Sequence, residues 1–180
     1  SVGQGKARMA VEAVVDMLER THVQGPVVWI SRTRERSSFI FNLWRKIWKI
    51  SGGGGPLKIA RLWASESVPH SEPDVIVTSL QKLELSINEP RLEWITRPAF
   101  VILDDYDDSE GERYFSLLRK RLNIGQNSGC GLLVLSSLGE GVGPAKVMVL
   151  KSIVTDILNP IPGSGDEIKM FQLPNYKSIK

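Results

Sequence analysis

The chain has 180 residues, 42% of them hydrophobic, and 23 Lys/Arg against 20 Asp/Glu for a net charge of +3. That is enough for one well-packed α/β domain and short for two, and no run reaches the length of a membrane span. The first residues fit neither a signal nor a transit peptide, and a single Cys130 with two histidines argues against a disulfide framework or a structural zinc site. The expectation is a soluble intracellular protein, cytoplasmic or nuclear, with no membrane partner.

The charges are segregated along the chain. Residues 1–65 hold 11 Lys/Arg against 4 Asp/Glu, residues 66–112 hold 3 against 12, and residues 113–180 hold 9 against 4. A basic first third suits a polyanion, and an acidic middle suits a cation; each is also compatible with ordinary solvated faces.

The chain opens on S-V-G-Q-G-K-A-R, a glycine-rich turn running into an amphipathic helix with Val11, Val14, Val15 and Leu18 on one face. Backbone N–H groups at such a turn can cradle a phosphate, with Lys6 adding charge; Gly3, Gln4, Gly5, Lys6 and Ala7 are the candidate nucleotide-binding residues. In a complete phosphate-binding loop the first glycine and its launching strand would precede Ser1, so a fragment with its first strand missing is expected. Ala7 stands where that motif has a magnesium-binding Ser or Thr.

Val27 to Ser31 reads as a buried strand delivering Arg32, Arg34 and Arg36 to its carboxyl end. Ser37 to Lys49 reads as a helix whose Phe41, Trp44, Ile47 and Trp48 follow a core stripe. The S-G-G-G-G-P run at 51–56 is a surface loop. Leu57 to Trp63 and Asp74 to Ser79 are further strands, the second ending at Thr78 and Ser79. Leu80 to Leu85 begins a short helix, and Asn88 to Pro98 is a connector. Pro98 to Asp108, P-A-F-V-I-L-D-D-Y-D-D, is the expected central strand: its apolar run lacks alternation, as in a strand buried on both faces, and stops at acids. Ligands of open α/β sheets bind just outside such carboxyl ends, which makes Asp104 and Asp105 candidates; an acidic solvated turn would look the same. Glu110 to Leu122 is an expected helix, Gly131 to Ser136 a strand leading to Ser136 and Ser137, Ala145 to Leu158 a helix, and Ile168 to Leu173 a last strand.

Over residues 1–138 the order of these pieces resembles the first RecA-like motor domain of superfamily 2 helicases and translocases, especially restriction-enzyme motor subunits and DEAD/DEAH-box proteins. Gly3-Gln4-Gly5-Lys6 matches motif I, Ser31-Arg32-Thr33-Arg34 matches motif Ia, and Val77-Thr78-Ser79-Leu80 matches the next nucleic-acid-contacting motif. Asp104-Asp105-Tyr106-Asp107 matches the D-E-x-H/D box, and Ser136-Ser137-Leu138 the S-A-T coupling motif. Ala7, Asp105 in place of glutamate, and Leu138 in place of threonine depart from the pattern, all in the direction of weaker catalysis.

The resemblance implies a single α/β domain over residues 1–180, RecA-like, with a mostly parallel sheet and helices on both faces, belonging to a larger protein. It implies ATP and Mg2+ as cofactors, Lys6, Asp104 and Asp105 as catalytic residues, and Asp104 as the metal ligand. Arg32, Thr33, Arg34, Thr78 and Ser79 would contact phosphates of DNA or RNA. Hydrolysis would be completed by a second RecA-like domain outside these residues. Two alternatives stay open: a degenerate helicase-like domain serving as a nucleic-acid-binding or scaffold module, and the ATPase domain of a viral DNA-packaging terminase.

Overall fold

The computed structural model describes residues 4–20, 25–51, 55–63, 69, 71–87, 89–105 and 130–135. In chain order these form α1 (Gln4–Arg20), β1 (Val27–Ser31), α2 (Arg34–Ser51), β2 (Ile59–Leu62), β3 (Val75–Ser79), α3 (Leu80–Ile87), a 3-10 segment (Pro90–Thr96), β4 (Phe100–Asp104) and β5 (Gly131–Leu135). The strands make one sheet in the order β2-β3-β1-β4-β5, and every neighbouring pair is parallel.

The uninterrupted apolar runs have the reason expected of them. β1 is buried along its whole length, and β3 and β4 nearly so, because both faces are covered. Successive side chains point to opposite faces. Val28, Ile30, Ile76, Val101 and Leu103 therefore pack with α3 and the 3-10 segment through Leu83, Leu92 and Ile95. Val27, Trp29, Val75, Val77 and Ile102 pack on the other side with α1 and α2 through Ala7, Val11, Val14, Ile40 and Trp44. Trp29 and Trp44 meet edge-on, with ring centroids 6.4 Å apart and planes at 88°.

Three expectations are revised. The middle of the described sheet is β1, flanked by β3 and β4, rather than β4; an apolar run shows burial on two faces but not position in the strand order. The connector before β4 carries two 3-10 turns merged across a kink at Leu92, which bring Leu92 and Ile95 into the core. The helix expected to begin at Ser37 begins at Arg34, because Thr33 caps it: its Oγ1 accepts from the Arg36 N–H at 3.1 Å. The elements expected at 110–122, 145–158 and 168–173 lie outside the described residues.

Cys130, just before β5, is half-buried, and burial pushes its thiol from 9.0 up to about 11. At about pH 8 the folded chain should therefore react with a disulfide reagent roughly a hundredfold more slowly than the unfolded chain, in proportion to thiolate. Stability owed to the neutral thiol is intact below pH 9.0 and is lost progressively as pH rises toward about 11.

Candidate functional site

The strand register builds a row of polar groups at the carboxyl edge. Ser31 lies beside Ser79 on one flank and beside Asp104 on the other, with Leu135 beyond Asp104. By alternation Ser31, Ser79 and Asp104 belong to the face that carries Trp29, Val77 and Ile102, under α1 and α2. Thr78 belongs to the opposite face. It is buried, and its hydroxyl donates to the carbonyls of Leu62 and Ser79 at 3.4 and 3.1 Å. Ser79 is half-buried, and its Oγ accepts from the Lys82 N–H at 3.3 Å as α3 begins.

Asp104 is only 1% exposed. Its Oδ2 accepts from Arg36 Nε at 2.7 Å and from Trp29 Nε1 at 3.2 Å, and its Oδ1 accepts from Arg36 Nη2 at 3.1 Å. The guanidinium thus forks across both carboxylate oxygens, the strongest form of ion pair. Hydrogen bonding to Asp104 raises the Arg36 pKa, burial opposes the shift, and the charges of Asp104 and Asp105 add to it. Stability from this raised pKa is fully present below the ordinary guanidinium range and would be lost only at still higher pH, so the pair is intact through neutral solution.

Of the arginines expected to emerge from β1, Arg32 and Arg34 do so, and both are exposed, as is Thr33. Arg36 does not. Starting α2 at Arg34 places Arg36 on the helical face of Ile40, Trp44 and Ile47, all of them buried. That spacing is a sequence signal for an inward arginine needing a buried acid, and it was legible once the Thr33 cap was recognised. The Trp29 contribution had no such signal.

At the other candidate region, Gln4, Gly5 and Lys6 form the first turn of α1. Lys6 is half-buried, and Ala7 is wholly buried in the core on the α1–α2 side. A Cβ added at Gly5 would meet nothing within 4 Å, so the chain's own packing does not require glycine there. Asp105 takes φ 63°, a left-handed conformation that aspartate tolerates better than most residues, and its N–H donates to the Leu135 carbonyl at 3.0 Å. Gly3, Ser136 and Ser137 lie outside the described residues.

Magnesium fits this arrangement poorly. Mg2+ demands near-octahedral oxygen ligation and keeps several waters, whereas Asp104 is buried with both oxygens engaged by nitrogen donors. Ala7 supplies no hydroxyl and faces the core.

Five parallel strands, layered by helices on both faces, superpose on solved helicase structures. A chain of the complex of S. cerevisiae Dbp5 with Nup159, Gle1, IP6 and ADP superposes with a TM-score of 0.60 at 16% identity, covering 87% of this chain and 40% of that one. A second complex, of S. cerevisiae Dbp5 with Gle1 and IP6, gives 0.63 at 15% identity, covering 87% and 39%. The fold is that of a RecA-like helicase domain. A hypothetical ATP-dependent RNA helicase from Sulfolobus tokodaii gives 0.56 at 15% identity over 87% of this chain and 44% of that one. The chain therefore spans about two fifths of the length of these structures. No protein-family model and no curated protein matches the sequence. Among the described residues, no helix is long and apolar enough to cross a membrane.

Proposed function

We propose that this chain is a helicase-like domain that binds nucleic acid phosphates at the carboxyl edge of its sheet and turns nucleotide over slowly or not at all. The observation that carries the reading is the engagement of both Asp104 oxygens by Arg36 and Trp29. A carboxylate so held is structural; a working motor would need it at the nucleotide. The exposed Arg32, Thr33 and Arg34, with the half-buried Ser79 beside them, supply the phosphate contacts. Thr78, turned into the opposite core, is left out of that set. The similar structures favour this class of ligand, since one is named an ATP-dependent RNA helicase and another is a complex containing ADP. In a longer protein a second RecA-like domain would supply whatever further catalytic groups are needed.

Binding of a labelled single-stranded RNA or DNA, followed by anisotropy across a salt series, tests the reading. Arg32→Ala and Arg34→Ala should each weaken binding for all sequences alike and lower the slope of log affinity against log salt by about 0.7 per lost phosphate contact. Unchanged slopes in both variants would move the interface elsewhere, and ATP hydrolysis strongly stimulated by nucleic acid would restore the motor reading.

Gly5 offers a separate check on nucleotide binding. Gly5→Ala should stabilise the fold by up to about 1 kcal/mol, because alanine is the better helix former and nothing opposes its Cβ. If a phosphate approaches the backbone there, the same change should weaken ATP binding. A stabilised variant with unaltered ATP affinity would remove Gly5 from the nucleotide site.

A further inference from the structure

We propose that the Arg36 guanidinium takes the place of a divalent cation against Asp104, so that phosphate groups at this edge are held by the chain's own arginines without a metal ion. This rests on the reading of the edge as a phosphate-binding surface.

The argument begins with what Asp104 can still accept. It already receives three hydrogen bonds, two from the Arg36 fork and one from Trp29, and at 1% exposure it has no room for a hydrated ion beside it. A magnesium ion would have to expel a guanidinium that remains charged under all ordinary conditions. The second residue expected to assist such an ion, at position 7, is an alanine committed to the core.

Charge balance leads to the same place. An ionised carboxylate at a sheet edge repels phosphate, and where such a group faces a nucleotide a metal ion normally cancels the repulsion. Here Arg36 cancels it from within the chain. The exposed Arg32 and Arg34, four and two residues earlier on the β1–α2 turn and the start of α2, add further positive charge to this edge. Arg36 also joins α2 to the end of β4, so the turn carrying Arg32 and the carboxylate of Asp104 are tied together.

The test uses the full chain and Mn2+ alone, read by electron paramagnetic resonance. The expected result is no bound Mn2+ in the natural chain, one bound ion in Arg36→Gln, and loss of that ion when Asp104→Asn is added. Mn2+ bound by the natural chain and released by Asp104→Asn would overturn the proposal, as would a folded Arg36→Gln chain that gains no ion. Should Arg36→Gln not fold, the Arg36 Nε–H resonance of the natural chain decides: unchanged in millimolar Mg2+ it supports the proposal, and displaced by Mg2+ it refutes it. A labelled oligonucleotide should bind in EDTA at least as tightly as in Mg2+; a requirement for Mg2+ counts against the proposal. If no oligonucleotide binds in either buffer, the nucleic-acid reading fails, and the Mn2+ arm still decides what Arg36 does.

Discussion

Arg36→Ala is expected to lower the unfolding free energy by about 3–5 kcal/mol, the cost of leaving a buried charge without its partner. In a site 1% open to solvent, Asp104 would keep, among the described residues, only the Trp29 N–H as a donor. In a chain of this size that corresponds to a fall in Tm of about 10 °C. Asp104→Ala should cost less, because the Arg36 side chain is 22% exposed and its guanidinium can turn toward water. Replacing both partners with apolar residues of similar volume should recover most of the loss, since a buried pair adds little net stability over good apolar packing. Thermal unfolding of the two single variants and the double variant measures all three. Equal losses in the two single variants would place the pair in a wetter environment than the structure gives it. Asp104→Ala is consequently an ambiguous control for ATP hydrolysis: lost turnover in that variant could reflect lost structure.

Gly25→Ala is the second large effect, expected to cost about 3 kcal/mol from backbone strain and overlap together. Gly25 has φ 102°, where side chains are rarely tolerated, and an added Cβ would lie 2.3 Å from the Arg97 carbonyl oxygen and 3.2 Å from the Ala99 nitrogen. Both neighbours are backbone atoms, so no rotamer change relieves the contact. The turn they form matters to the sheet: Ala99 N–H donates to the Pro26 carbonyl at 3.0 Å, which aligns the starts of β1 and β4. Denaturant unfolding should show the midpoint shift with little change in slope. The same alignment sets Ser31 opposite Asp104. A loss below about 1 kcal/mol would mean the turn relaxes freely and does not set the register.

Local chemistry determined much of this protein without help from the fold. The unbroken apolar runs at Val27–Ser31, Val75–Ser79 and Phe100–Asp104 had to be strands covered on both faces, because alternation disappears when neither face meets water. Their polar ends, Ser31, Ser79 and Asp104, had to share one edge once the strands were parallel. The stripe of Ile40, Trp44 and Ile47 likewise required a helix packed on the sheet.

Strand order and pairing of charges were decided only in three dimensions. An apolar run carries no record of its neighbours, so among the described strands β1 rather than β4 came to the middle. Alternation along β3 separated Thr78 from Ser79, sending adjacent hydroxyls to opposite faces. Arg36 and Asp104 are 68 residues apart, and nothing local links them. They meet because the Thr33 cap sets the phase of α2 and the register of β4 on β1 sets the height of Asp104. The end of a strand shows that a carboxylate stands at the sheet edge; only the fold shows that an arginine reaches it there.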